Sequence, residues 1–83
     1  MKRTESNNKL KTMRLSRGLS QQQLAELSGL NMRTLQNYEQ GVADFNGCNI
    51  KKIFDVALVL NCDVEDILTD ENVIATIREY QEA

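Results

Sequence analysis

The chain contains no proline and no histidine, and it has only four glycines, two cysteines and few aromatic residues among its 83 positions. The lack of proline and the scarcity of glycine favour short helices joined by tight turns, and the short β-branched runs argue against a sheet. Two cysteines without histidine cannot build a zinc site of the usual four-ligand kind. We therefore expect no metal and no cofactor, and we expect Cys48 and Cys62 to be reduced packing residues.

Long apolar runs are missing as well. No stretch approaches the roughly 20 apolar residues that a membrane span needs. The N-terminal sequence MKRTESNNK lacks the apolar segment of a signal peptide. The length supports one domain with a modest core. These features predict a single domain over residues 1–83 in the cytoplasm, without a membrane partner and with a frayed tail at residues 1–6.

Acidic residues are scarce in the first half of the chain and abundant in the second. The formal net charge is −2. Residues 1–40 contain seven basic and three acidic residues, a net charge of +4, whereas residues 41–83 contain three basic and nine acidic residues, a net charge of −6. A polyanion should therefore meet the first half, although a solvated acidic helix pair would give the same asymmetry.

Residues 20–39, SQQQLAELSGLNMRTLQNYE, predict two short helices with one sharp corner. Ser20 and Gln23 have the spacing of a capping box, and Asn31 can cap the second helix. A small residue between the helices, a glycine four positions on and a leucine six positions after that are typical of a helix-turn-helix: Ala25, Gly29 and Leu35. The expected apolar faces are Leu24, Ala25 and Leu27 on the first helix, and Leu35 and Tyr38 on the second.

Further helices are predicted on both sides of this unit. The first runs over residues 8–17, and Arg17 should complement its dipole. Gly41 closes the helix after the corner, and Val42 and Phe45 should pin the loop at 42–48 to the body. A central buried helix starts near Asn49, with apolar positions Ile50, Ile53, Phe54, Ala57 and Leu60 and with Leu58 nearby.

A short fifth helix and a last helix at about 70–82 complete the predicted all-α fold. Asp63 can cap the first of them, which is anchored by Val64, Ile67 and Leu68. Thr69 can cap the last helix, which runs through about Gln81. The last helix has one apolar stripe, which either closes over the chain's own core or meets another copy: Val73, Ile74, Ile77 and Tyr80.

The segment LKTMRLSRGLSQQQLAELSGLNMRTLQNYEQG, followed by an apolar helix and LNCDVEDIL, resembles the Cro and phage-repressor type of helix-turn-helix family, often called Xre-like. The resemblance covers residues 10–68. It implies a five-helix lambda-repressor-like DNA-binding domain, with the core fold at 8–69 and the DNA-reading unit at 20–39. The additional helix at 70–82 lies outside that pattern. The chain departs from the family by lacking a proline after the third helix and by having a single basic residue, Arg33, in the reading helix.

The family pattern also pairs an arginine of the first helix with a glutamate that ends the third. Arg14 and Glu39 occupy these places, and their inward-leaning positions independently predict a buried salt bridge. Together with the corner residues, they form the expected structural set: Arg14, Glu39, Ala25, Gly29, Leu35 and Gly41.

The third helix is expected to read bases and the second to meet phosphate. The outward side chains of the third helix are the base-reading candidates: Met32, Arg33, Gln36 and Asn37. The phosphate candidates are Gln21, Gln22, Thr34 and, through its backbone, Asn46. Thr34 is equally suited to packing the start of the helix.

These features predict a sequence-specific double-stranded DNA-binding protein that regulates transcription, as a repressor. A homodimer on a pseudo-palindromic operator is expected, formed through the last helices or through the loop and fourth helix. The alternative is a protein-interaction module, such as an antitoxin that holds a toxin through its acidic half. An enzyme is not expected, since the sequence has no histidine, no glycine-rich phosphate loop and no cysteine with a base at motif spacing.

Overall fold

The computed structural model describes residues 9–82, and these residues form five α-helices and two single turns of 3-10 helix, without a strand. The α-helices are α1 Lys9–Ser16, α2 Gln21–Ser28, α3 Met32–Gln40, α4 Ile50–Leu60 and α5 Glu71–Glu82, and the 3-10 turns are Phe45–Gly47 and Val64–Asp66. The predicted all-α class is confirmed. The predicted start of α1 at Asn8 and the tail at residues 1–6 lie outside the described residues.

The predicted signals at the corner between α2 and α3 are confirmed. Ser20 Oγ accepts a hydrogen bond from the Gln23 backbone N–H at 3.0 Å, and Gln23 Oε1 accepts one from the Ser20 N–H at 2.8 Å. Gly29 ends α2 with a φ of 79°, a left-handed conformation that side chains disfavour. Asn31 Oδ1 then accepts from the Arg33 and Thr34 N–H groups and starts α3.

The core is one apolar cluster to which every α-helix contributes, and α2 lies against both α3 and α4. Leu24 and Leu35 are fully buried, and Ala25 is buried where a small residue was expected. Leu27 was predicted to face the core, but 63% of it is exposed. The buried face of α2 instead continues to Ser28, four positions after Leu24, whose hydroxyl donates to the Leu24 carbonyl at 2.7 Å.

The buried face of α4 includes the predicted Ile53, Ala57 and Leu60, but it also contains Val56 and excludes Ile50 and Leu58. The stripe that faces the core has the spacing i, i+3, i+4, i+7: Ile53, Val56, Ala57 and Leu60. Ile50 lies in the first turn and is exposed, Leu58 is 77% exposed, and Val42 in the preceding loop is exposed as well. Phe45 does pin that loop, because it is buried and its ring lies edge-on to Tyr38 with centroids 5.1 Å apart.

The C-terminal part contains one α-helix where two helices were predicted. The segment after Asp63 is only the 3-10 turn Val64–Asp66, although its anchors Val64, Ile67 and Leu68 are buried as expected. The cap of α5 is Asp70 and not Thr69, because Asp70 Oδ1 accepts from the Asn72 and Val73 N–H groups at 2.9 and 3.3 Å.

The stripe of α5 packs against the chain's own core for most of its length. Ile77 is buried, and Val73 and Ile74 are half-buried against the cluster, whereas Tyr80 is 76% exposed. Within the part of the chain that the structure describes, no helix has the length and apolar character of a membrane span.

Candidate nucleic-acid interface

A buried ion pair joins the first helix to the end of the third. Arg14 Nε donates to Glu39 Oε2 at 2.7 Å, and Arg14 Nη2 donates to Glu39 Oε1 at 2.9 Å. The Arg14 and Glu39 side chains are only 7% and 2% exposed. Arg14 Nη1 also donates to the Leu19 carbonyl at 2.8 Å, so the pair fixes the turn that leads into α2. The predicted contact is present with bidentate geometry, the strongest form of an arginine–carboxylate pair.

The start of α2 presents the first two phosphate candidates, in different surroundings. The first N–H groups of a helix have no partner within that helix, which makes this end attractive to an anion. Gln21 is half-buried, and its Nε2 donates to Glu39 Oε1 at 3.0 Å. Gln22 is exposed, and its Nε2 donates to Glu26 Oε2 at 3.2 Å on the same helix.

The base-reading candidates share one side of α3. Met32, Arg33, Gln36 and Asn37 have the spacing i, i+1, i+4, i+5, which places them along one helical face. Met32 and Arg33 are exposed at the start of the helix, whereas Gln36 and Asn37 are half-buried. Leu35 and Glu39 are buried on the other side. Thr34 is half-buried at the start of α3, where its N–H is bonded to the cap Asn31.

Asn46 has a structural task that its sequence position did not reveal. Its N–H, which was the candidate phosphate donor, already donates to Asp44 Oδ1 at 3.0 Å. Its side-chain amide donates to Asp44 Oδ1 and Thr69 Oγ1, and accepts from the N–H groups of Thr69 and Asp70, all within 2.8 to 2.9 Å. Asn46 therefore ties the loop after α3 to the start of α5, and its donors are not free for an interface with phosphate.

Several basic side chains are also used inside the molecule. Arg17 was expected to complement α1, but it lies beyond that helix and donates to the Leu60 and Asn61 carbonyls at 2.6 and 3.3 Å. Lys9 donates to the Glu65 and Leu68 carbonyls at 2.6 and 2.7 Å. Lys52 donates to the Gly29 carbonyl at 3.1 Å and so completes the corner from α4. These three cations satisfy carbonyl groups near the ends of helices.

Tyr38 and the two cysteines lie beside the core. The adjacent Cys48 side chain, as a hydrogen-bond partner, and then burial raise the pKa of Tyr38 from 10.0 to about 12. Burial, followed by the Asp66 carboxylate, raises the pKa of the Cys62 thiol. Both cysteines are free and half-buried, and residues 9–82 contain no cluster of three or more metal-binding side chains.

The sequence missed two contacts that shape this surface. The bond from Gln21 to Glu39 joins positions 18 residues apart, and no local signal marks it. The bond from Lys52 to the Gly29 carbonyl joins positions 23 residues apart and is equally invisible in the sequence. Both depend on how separate helices pack, which local spacing does not determine.

A family model described as helix-turn-helix matches residues 10–67 of the chain. This range includes α1 except for its first residue, α2 to α4, both 3-10 turns and every candidate residue of the interface. Neither the search of curated proteins nor that of solved structures gave a match.

Proposed function

Since the chain belongs to the Cro and phage-repressor type of helix-turn-helix family, we propose that it is a repressor that reads specific double-stranded DNA with α3. The family is one of DNA-binding, non-enzymatic domains, and the chain is a DNA-binding transcription regulator in general terms. The observation that supports base reading by α3 is the row of candidate side chains along one face of this helix. The buried Arg14–Glu39 pair holds the helix itself against α1.

In the proposed complex, α3 enters the major groove with its N-terminal end first. Arg33 donates two hydrogen bonds to O6 and N7 of a guanine, and Met32 packs against a thymine methyl. Gln36 or Asn37 pairs with N6 and N7 of an adenine, because a carboxamide offers one donor and one acceptor side by side. Direct contacts at these positions would specify only a few base pairs.

The phosphate backbone is proposed to run past the start of α2. There the N-terminal N–H groups and the amides of Gln21 and Gln22 offer hydrogen-bond donors to phosphate oxygens, and Thr34 adds a hydroxyl from the start of α3. Such contacts fix the position of the protein on the duplex without distinguishing one sequence from another.

The reading of a full operator is proposed to need two copies of the chain. Half-sites of helix-turn-helix dimers lie about one helical turn, roughly 34 Å, apart, so each copy would contribute one α3 to a pseudo-palindrome. We place the dimer contact on the α4–α5 face, which we define by the exposed apolar residues Ile50, Leu58 and Tyr80. Two grooves between these helices, of about 310 and 520 Å³, support this choice, because each copy offers both a protruding side chain and a recess for its partner.

A protein partner of basic character is the second candidate for the same face. Residues 41–83 have a net charge of −6, and the larger groove is lined by Asp63 and Arg78 beside Phe54 and Leu58. An antitoxin of this fold would hold a basic toxin there by apolar contact, with attraction from the acidic half of the chain as a whole. In either case we propose that the protein acts in the cytoplasm of a prokaryote or on behalf of a phage.

Selection of bound duplexes from a random pool, followed by salt titration of the selected DNA, tests the proposal. We expect a pseudo-palindromic site whose affinity falls linearly with the logarithm of salt concentration. Arg33→Ala should relax base preference at one position per half-site by about 1 to 3 kcal/mol. Lys11→Ala removes the same charge from α1 and is the matched control, since it should weaken all sequences alike. Selection of no consensus by the wild-type protein would contradict sequence-specific reading.

A further inference from the structure

Glu39 lies where three helices meet, and its two carboxylate oxygens have three donors. Arg14 on α1 supplies two of them at 2.7 and 2.9 Å, and Gln21 at the start of α2 supplies the third at 3.0 Å. The Glu39 side chain itself belongs to α3 and is 2% exposed. Because Arg14 donates to both oxygens of this carboxylate and so fixes its plane, a group bonded to the carboxylate is oriented along with it.

The bond to Glu39 also fixes which end of the Gln21 amide faces inward. A carboxylate only accepts hydrogen bonds, so the amide nitrogen of Gln21, 3.0 Å from Glu39 Oε1, is the end that faces Glu39. That nitrogen has two hydrogens, and one hydrogen bond to Glu39 occupies one of them. No other described hydrogen bond uses this amide, so its second hydrogen is the donor that we assign to a phosphate oxygen in the proposed complex.

We infer that Glu39 is a positioning residue for DNA binding and that it acts through Gln21. This inference rests on the proposed function. The buried carboxylate holds the Gln21 amide in the orientation that a phosphate requires. The side chain of Gln21 therefore loses its conformational entropy when the protein folds and not when DNA binds. The ion pair thus links the reading helix, which contains Glu39, to the phosphate contact on α2.

Gln22 provides a comparison within the same turn. Its amide donates to Glu26 at 3.2 Å, but both residues are exposed and lie four positions apart on one helix. No buried cation holds the Glu26 carboxylate among the described residues. A phosphate contact by Gln22 should therefore be independent of the Arg14–Glu39 pair.

The test is a double-mutant cycle on DNA affinity. Gln21→Ala is introduced into three backgrounds: the wild-type protein, Arg14→Met/Glu39→Leu and Arg14→Met/Glu39→Gln. The first double variant removes the acceptor of the Gln21 hydrogen bond at position 39, and the second replaces it with an uncharged amide oxygen. Both double variants avoid stranding a buried charge. Gln22→Ala in the same three backgrounds is the control, and circular dichroism confirms that each protein is folded.

Gln21→Ala should lower affinity about tenfold in the wild-type background, as expected for a bond to a charged group. The loss should shrink to less than about twofold in Arg14→Met/Glu39→Leu and return to several-fold in Arg14→Met/Glu39→Gln, while Gln22→Ala costs the same in all three. An equal loss for Gln21→Ala in every background would overturn the inference and leave the proposed function intact. Absence of DNA binding by the wild-type protein would overturn both the inference and the proposed function. This outcome is distinct from the previous one, because it is seen without any variant.

A second measurement needs no variant of the ion pair. Nuclear Overhauser contacts between the Gln21 side-chain amide and Glu39 should be present in the free wild-type protein and should persist when duplex DNA is added. Their disappearance in the complex would mean that Gln21 leaves Glu39 in order to bind phosphate, which contradicts a positioning role.

Discussion

The Arg14 and Glu39 side chains join α1 to the end of α3, and Glu39 also accepts a hydrogen bond from Gln21 at the start of α2. Each is almost completely buried, and each is the main partner of the other. A buried pair of this kind gains little over apolar residues of similar volume, but the loss of one partner leaves an uncompensated charge in the core.

Single substitutions in this pair should therefore be much more destabilising than the double substitution. Glu39→Leu alone should lower the free energy of unfolding by about 3 to 5 kcal/mol, because it leaves the Arg14 guanidinium buried without its carboxylate. Arg14→Met/Glu39→Leu should be close to the wild-type protein in stability. Urea unfolding measures both values, and equal destabilisation by the single and double variants would be inconsistent with a buried pair.

Tyr38 offers a second test at the level of one residue. Its pKa in the folded protein, about 12, lies above the ordinary value of 10.0, so folding favours the neutral phenol. The resulting contribution to stability should be complete below about pH 10 and should be lost as the pH rises toward 12. In a Tyr80→Phe background, the phenolate absorbance reports Tyr38 alone. Cys48→Ala should move the midpoint of this titration downward, and Cys62→Ala should leave it in place.

Among the elements, the helix pair α2–α3 follows from local sequence in full, whereas the range of α5 follows from the sequence and its capping residue does not. Capping residues and left-handed glycines are local signals, so Ser20, Gly29 and Asn31 could be assigned from the sequence. The start of α5 was assigned to Thr69, because the sequence does not show that Asn46 already binds this residue from the preceding loop. The predicted fifth helix after Asp63 is only the 3-10 turn Val64–Asp66 in the structure. A strong cap signal does not determine whether one turn continues into a helix.

Asn46 is expected to control how firmly α5 is attached. Asn46→Ala removes its side-chain hydrogen bonds to Asp44, Thr69 and Asp70, at a cost of about 1 to 3 kcal/mol, and keeps the backbone bond to Asp44. Amide hydrogen exchange should accelerate in α5 more than in α2 and α3, because Ile77 is the only buried residue among positions 71–81. Asn72→Ala, an exposed substitution on α5 itself, is the control. Equal acceleration in all helices would show that Asn46 supports the whole fold.

At the scale of the whole molecule, fewer basic side chains of the first half are free to contact DNA than the charge count of the sequence suggests. Of the basic residues in the first half, Lys9, Arg14 and Arg17 donate to internal acceptors. Within residues 9–82, Lys11 and Arg33 are the other cations of that half, and the described hydrogen bonds and ion pairs use neither side chain. The sequence shows which half of the chain is basic, but the number of charges available to DNA depends on tertiary contacts.

Lys9 and Lys11 should therefore behave differently although both are lysines of α1. Lys11→Ala should make the slope of the logarithm of the DNA-binding constant against the logarithm of salt concentration less steep, by about 0.9 for each phosphate that the lysine no longer neutralises. It should leave the stability of the protein unchanged. Lys9→Ala should lower the melting temperature, because the carbonyls of Glu65 and Leu68 lose their donor. Salt titration and thermal unfolding of both variants separate the two roles, and interchangeable behaviour would contradict the assignment.

The central claim is that α3 reads base edges in the major groove, and one comparison tests it most directly. Affinities of the wild-type protein and Arg33→Ala are measured for a selected duplex and for the same duplex with 7-deazaguanine, which lacks the N7 acceptor, at the contacted position. The account predicts that the modified base costs the wild-type protein about tenfold and costs Arg33→Ala almost nothing, since the missing acceptor is the partner of Arg33. An equal loss for both proteins, or no loss for either at any guanine of the site, would contradict it.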